Sequence, residues 1–248
     1  MRKDFFYFKQ FKIMHNQNVM KVGTDSVLLG SFVNCGSSKN ILDVGTGSGV
    51  IAIMLAQKSS ANIDAIDILD EAIDLARINV SDCKWAERVN VLKEDIKTYY
   101  PGKCYDIIVS NPPYYATDII SPDIKRATAR HNKLMSATDL FAGVNRLLKN
   151  DGIFYVIYPH NIISNLELAA SSNSLIKTEE LLVFSNYKSE KPTRVISGYS
   201  RTNKPIERSE IRIEKHNRGE YTDEYKNLTK EYYLVFARKR QILRYSRF

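Results

Sequence analysis

The stretch Ser110-Asn111-Pro112-Pro113-Tyr114-Tyr115 carries the most specific chemistry in the chain. A short apolar run, Tyr105-Asp106-Ile107-Ile108-Val109, leads into it and reads as a buried strand. Two prolines then stop the ladder and disfavour an immediate helix, so Asn111 is held rigidly at the carboxyl end of that strand. The Asn111 amide and the neighbouring carbonyls are hydrogen-bond acceptors, and a tyrosine ring lies beside them. Acceptors next to a stacking face suit a planar amino group, such as the exocyclic amine of adenine. A strand-ending turn with a packed tyrosine would use the same residues without chemistry, so the decision rests on what precedes them.

What precedes them is the start of a doubly wound sheet. Asn40-Ile41-Leu42-Asp43-Val44 reads as a buried strand, Gly45-Thr46-Gly47-Ser48-Gly49 as a tight turn, and Val50–Lys58 as a helix. Glycine is needed where backbone turns sharply and approaches a ligand without a Cβ in the way. The spacing is Gly-x-Gly-x-Gly, unlike the dinucleotide fingerprint, and no P-loop lysine follows. A second strand, 61–66, ends at Asp67, which is 22 residues past Gly45. A carboxylate there can accept from ribose hydroxyls or cap the helix expected over 71–79, and the two roles are compatible. A third strand, 89–92, ends at Glu94-Asp95-Ile96, where Asp95 can accept from an adenine amine. Glycine loop, Asp67 and Asp95 thus fall on three successive strand ends, which one ligand lying across the sheet edge requires.

The remaining chain frames this site. The first 20 residues mix aromatic and basic side chains, among them Phe5, Phe6, Phe8, Lys9, Phe11 and Lys12. They suit either stacking on bases or a hairpin that packs its rings on the core, with the hairpin favoured. Thr24 and Asp25 open a helix through Val27, Leu28, Leu29 and Phe32, as caps or as contacts to an amino-acid head group. Residues 116–135 form a long connection carrying Lys125, Arg126, Arg130, His131 and Lys133, a length usually tied to function. A helix over 136–148, a strand over 152–158 and a helix over 162–170 follow. Strands at 178–185 and 195–200 read as an antiparallel hairpin, with an edge strand at 210–213 and a closing helix at 222–233. The expected organisation is one domain over 1–236, with 1–39 packed on it, and a mobile basic tail over 237–248.

Composition narrows the class. The chain has 248 residues and a net charge of +8, which favours an anionic partner such as nucleic acid. Cys35, Cys83 and Cys104 match neither a zinc site nor a disulfide framework, which suggests a reducing cytoplasm. No apolar run is long enough for a membrane span. His15, His131, His160 and His216 are scattered and do not form a catalytic set.

Leu42-Asp43-Val44-Gly45-Thr46-Gly47-Ser48-Gly49 resembles the first motif of class I S-adenosylmethionine-dependent methyltransferases, and Asn111-Pro112-Pro113-Tyr114 resembles their amino-methylating motif. Together with Phe8-Lys9-Gln10-Phe11, Met20-Lys21-Val22-Gly23-Thr24-Asp25 and Trp85-Ala86-Glu87-Arg88, they resemble the bacterial tRNA1(Val) adenine-N6-methyltransferases over most of the chain. The resemblance implies a seven-stranded, mostly parallel sheet with its last strand antiparallel. It also implies S-adenosylmethionine as donor, an adenosine beside a tRNA anticodon as acceptor, no metal, and a monomer as the expected state. Asp43, Gly45, Gly47 and Gly49 would surround the donor's methionine portion, Asp67 its ribose, and Asp95 with Ile96 its adenine. Thr24 and Asp25 would lie near its amino-acid end.

By the same resemblance, Asn111 and Pro112 would accept the two hydrogens of the reacting amine, and Tyr114 would stack on the rotated-out base. Lys9, Lys12, Lys125, Arg126, Arg130 and Lys133 are the candidate RNA contacts. Protein-glutamine methyltransferases share the catalytic motif but carry a long helical domain ahead of the glycine loop, where only about forty residues stand here. DNA adenine methyltransferases need a target-recognition region not found in this chain. A non-catalytic RNA-binding module on the same scaffold would not need Asp67, Asn111 and the glycines intact.

Overall fold

The computed structural model describes residues 4–16, 19–113 and 135–234. In chain order the strands are β1 (Asp4–Tyr7), β2 (Lys12–His15), β3 (Asn40–Val44), β4 (Asn62–Asp67), β5 (Val89–Lys93), β6 (Tyr105–Ser110), β7 (Leu148–Pro159), β8 (Ile176–Asn186), β9 (Arg194–Ser200) and β10 (Glu207–Glu214). The helices are α1 (Thr24–Phe32), α2 (Val50–Lys58), α3 (Asp70–Ser81), α4 (Ala137–Leu147), α5 (Ile163–Ser172) and α6 (Asp223–Thr229). Among the described residues no helix is long and apolar enough to cross a membrane.

Eight strands form one sheet in the order β10-β8-β9-β7-β6-β3-β4-β5. Its central strands are apolar on both faces, as a parallel sheet covered on both sides requires. Ile41, Ile63, Ile107 and Ile157 face a core shared with α1, α2 and α3. Leu42, Ile66, Ile108 and Phe154 face a second core with α4 and α5. Alternation along each strand thus assigns successive residues to opposite layers. Helix α3 buries Ala72, Ile73, Leu75, Ala76, Asn79 and Val80 at helical spacing. Helix α4 opens on a capping box, in which the Asp139 amide donates to Ser136 Oγ and the Ser136 amide to Asp139 Oδ2.

The sheet is mostly parallel, as expected, and β9 is its antiparallel member, between β7 and β8. The sheet has eight strands where the resemblance implies seven, because β10 adds an edge beyond β8; without β10, the last strand in chain order is β9, which is the antiparallel one, as implied. Strand β10 pairs parallel with β8 and is the edge strand expected near 210–213, extended in both directions. The closing helix is shorter than its expected span. It stops at Thr229, whose carbonyl takes the amides of Tyr232 and Tyr233, and the turn sends Tyr232 inward so that its hydroxyl donates to the Met54 carbonyl at 3.0 Å.

The amino-terminal rings pack on the core. Strands β1 and β2 form a hairpin; Phe8 stacks on Phe11 at 4.5 Å and lies parallel to Tyr233, and Phe11 meets Trp85 edge-on. Phe8, Phe11 and Ile13 are buried. Of the two readings for this segment, the hairpin is the one present.

Candidate active site

Parallel strands place their carboxyl ends along one edge, and the candidate residues gather there. Val44 is registered with Ser110, so Gly45 and Asn111 leave adjacent strand ends side by side. The Ser110 hydroxyl donates to the Val44 carbonyl at 2.9 Å and ties those ends together. The glycine loop is stitched to the next strand. The amides of Gly45 and Thr46 both donate to the Ile66 carbonyl, and the Gly47 amide donates to Asp67 Oδ2 at 2.9 Å. Asp67 Oδ1 accepts the Leu69 amide at 3.1 Å, just ahead of α3, and the Asp67 carbonyl accepts the Glu94 amide. The glycine loop and the next two strand ends are therefore physically connected.

Gly45 and Gly47 have φ of +72° and +56°, a region that L side chains rarely occupy. A Cβ added at Gly45 would meet nothing within 4 Å, so the loop presents open backbone there. Asp43 lies beneath it, fully buried, with Oδ2 accepting from the Thr46 hydroxyl at 2.7 Å. Its Oδ1 is buried without a hydrogen bond among the described residues. Burial pushes the Asp43 carboxyl up to about 7, against the opposing pull of the Thr46 hydroxyl and the Ala52 amide in the first turn of α2; the Asp67 charge adds a smaller upward push. Burial also raises Asp67, opposed by the amides of Gly47, Leu69 and Ile68.

Asp95 is partly buried; its Oδ1 accepts the Lys97 amide at 3.0 Å, and the Lys97 ammonium lies 3.4 Å from Oδ2. Ile96 is buried against α4, where a Cβ at Gly143 would collide with it at 2.4 Å. The Asn111 Nδ2 donates to Ser26 Oγ in the first turn of α1, at 3.0 Å, which turns the amide oxygen away from Ser26. Pro112 is buried. Asp25 is ion-paired to Arg194 at 2.8 Å, at the start of β9. This brings the first turn of α1 to the site but commits the Asp25 carboxylate to a protein partner.

The basic candidates divide. The Lys9 ammonium donates to the Lys230 carbonyl and Lys12 pairs with Asp82 at 3.1 Å, so both are engaged within the protein. Tyr114, Lys125, Arg126, Arg130, Lys133 and the tail lie outside the described residues. Sequence reasoning gave no site role to Ser26, Arg194 and Asn79, and none to the Ser110 hydroxyl. Buried Asn79 accepts the Met14 amide at 2.7 Å and donates to the carbonyls of Met14 and Ser48, joining hairpin, α3 and glycine loop. Its signal was an amide on the apolar face of an amphipathic helix, where a polar group needs buried partners.

A doubly wound sheet with a glycine turn after its first strand, acceptors on the next two strand ends and Asn-Pro-Pro on the fourth defines a class I methyltransferase architecture. A family model described as methyltransferase small domain matches residues 12–171. A relative from Bacteroides thetaiotaomicron, named tRNA1(Val) (adenine(37)-N6)-methyltransferase, is 39% identical over 236 residues, covering 94% of this chain and 99% of its own. A relative of the same name from Pectobacterium carotovorum is 35% identical over 239 residues, covering 94% and 95%. Among solved structures, an Agrobacterium tumefaciens protein described as a predicted O-methyltransferase superposes with a TM-score of 0.64 at 15% identity, covering 84% of this chain and 96% of its own, a likeness of fold alone. The chain belongs to the family of the tRNA1(Val) (adenine(37)-N6)-methyltransferases.

Proposed function

We propose that this chain transfers a methyl group from S-adenosylmethionine to the exocyclic N6 amine of an adenosine in tRNA, next to the anticodon of tRNA1(Val). The observation that carries the reading is the register that sets Asn111 beside Gly45, with its amide nitrogen committed to Ser26. The residues present fit the donor. The glycine loop offers open backbone, and Asp67 and Asp95 offer carboxylate oxygens on the two adjoining strand ends for hydroxyl and amine donors. Asp43, Gly47 and Gly49 shape the loop, Ile96 supplies an apolar contact, and Thr24 and Asp25, in the first turn of α1 with Ser26, would lie near the donor's amino-acid end. The donor, when bound, supplies an electrophilic methyl group.

The chain's own contribution is positioning and electrostatics. The lone pair of an adenine N6 is delocalised into the ring, so the amine is a poor nucleophile as it stands. The amide oxygen of Asn111 and the carbonyl of Pro112 accept hydrogen bonds from its two N–H groups and draw the nitrogen towards tetrahedral geometry; the methylated nitrogen then gives up one of these protons to solvent, since neither acceptor is basic enough to keep it. Tyr114 stacks on the extruded base. Residues 1–236 act as one unit with 1–39 packed on it, and Lys125, Arg126, Arg130 and Lys133 add phosphate contacts from the segment after Tyr114.

The test is Asn111→Ala. Single-turnover methylation of tRNA should fall by about 10² to 10³, the usual cost of one positioned polar group at a reacting centre. Donor affinity by calorimetry should stay within about twofold of wild type, because Asn111 acts on the amine. Mass spectrometry of the tRNA nucleosides identifies the product as N6-methyladenosine. A variant that methylates tRNA at near wild-type rates would overturn the assignment.

A further inference from the structure

We propose that the loops following β8 and β10 form a second RNA-binding lip, which grips substrate phosphates beside the methylation site. The inference rests on the reading of an RNA substrate given above. Topology places both loops on the active edge. Strand β8 runs parallel to β7 and β10 parallel to β8, with Asn186 registered against Glu214, so both strands deliver their last residues to the edge where Asn111 lies. From β6 to β8 is three ladder spacings, about 14 Å in all.

A continuous set of contacts spans that gap. Asn111 donates to Ser26, its neighbour Asp25 pairs with Arg194, and Arg194 ends the loop that begins after Asn186. The two loops are fixed to each other. The Tyr187 amide donates to the Lys215 carbonyl at 3.3 Å, and the Tyr187 and His216 rings meet at 5.3 Å. The Gly219 amide donates to Glu214 Oε1, which holds the second loop closed on its own strand. The lip is therefore preorganised.

Its chemistry suits a polyanion with bases. Lys188, Lys191 and Arg218 are exposed and Lys215 is half-buried. None of the four forms an ion pair among the described residues, in contrast to Lys12, Lys93, Lys103, Lys149 and Lys177. Glu190 and Glu220 are the acids within the two loops, so cations outnumber carboxylates four to two. Tyr187, 43% exposed, presents a ring on which a base can stack.

The decisive variant is K188E/K191E/R218E in the full chain, assayed on whole tRNA. All three side chains are exposed, so the fold should be retained, which a thermal melt verifies. The Michaelis constant for tRNA should rise at least tenfold at about 0.1 M salt. The slope of log affinity against log salt should flatten by about 2 to 3, the release expected for three lost phosphate contacts. Donor affinity and the rate at saturating tRNA should stay within about twofold. The neutralised K188Q/K191Q/R218Q should fall between wild type and the reversed variant. Wild-type tRNA affinity and salt slope in both triple variants would overturn the lip. That outcome is separable from failure of the activity itself, which would show as wild-type protein that does not methylate tRNA or as an active Asn111→Ala.

Discussion

Asp67→Asn separates a strut from a ligand contact, because the structure gives this carboxylate two duties. Oδ2 holds the Gly47 amide and Oδ1 the Leu69 amide, so one group pins both the glycine loop and the entry to α3. An asparagine has a single acceptor oxygen, so one of the two amides must face an NH₂ group. Losing one hydrogen bond to a charged group costs about 1.5–3 kcal/mol. At about 2–4 °C per kcal/mol for a chain of this size, the melting temperature should fall by about 3–12 °C. Burial already penalises the charged carboxylate, and a neutral amide avoids that penalty, so the shift belongs at the lower end of the range. Donor binding should suffer more. Under the proposed role the ribose hydroxyls lose a charged acceptor, and the same bond energy corresponds to roughly 10- to 150-fold in the dissociation constant. Thermal melts without donor and calorimetry with S-adenosylmethionine measure the two effects independently. A lowered melting temperature with unchanged donor affinity would reduce Asp67 to a loop strut and remove it from the cofactor site.

Two further perturbations test the support beneath the site. The folded Asp43 carboxyl, at about 7 against an ordinary 3.8, keeps a proton that the unfolded chain has released, so the contribution of Asp43 to stability should fall as pH rises from about 4 to 7 and level off above. Asp43→Asn should remove that component, worth on the order of 4 kcal/mol across the window; denaturant unfolding of both proteins at pH 5 and pH 8 should show the difference between them changing in that sense, and an unchanged difference would refute it. Asn79→Ala leaves the Met14 amide and two carbonyls without their partner, at a cost of about 1–3 kcal/mol for a buried unsatisfied group. Hydrogen exchange should then rise in the hairpin and glycine loop together, and exchange confined to α3 would show that Asn79 does not couple them.

What was legible in the sequence is what repeats locally. The apolar run at Asn40–Val44, the glycines behind it and the acid at each following strand end have a period and a spacing, and each element stands within a residue or two of its expected position. Strand β7 was read short because Leu148-Lys149-Asn150-Asp151 carries no alternation. It is extended directly off α4 because Leu148 pairs with Tyr105, ahead of a register slip. The amino-terminal rings were ambiguous for a physical reason: an aromatic residue buries against protein or stacks on a base by the same surface. What decides between them is the β1–β2 register together with Tyr233 and Trp85, the last two distant in sequence. Ser26 and Arg194 were out of reach for the same reason, since their partners lie 85 and 169 positions away.

Those long-range pairs bear on how a widely used sheet edge becomes selective. A structure 15% identical to this chain shares the fold over 84% of it, so the sheet alone cannot identify a substrate. The contacts that brace Asn111 come instead from segments outside the central βα units: α1 through Ser26, and the start of β9 through Arg194. Hairpin β1–β2 reaches the glycine loop through Asn79. A reacting amine must be held to within a fraction of an ångström, and a misplacement of about 1 Å can cost 10²-fold. Under the proposed role of Asn111, a change that shifts α1 would shift its amide as well, because Ser26 holds it. Alignment of the acceptor then depends on Ser26 and the Asp25–Arg194 pair, so substitutions there should lower the rate at saturating tRNA, whereas substitutions confined to the exposed cations of the lip should act on affinity.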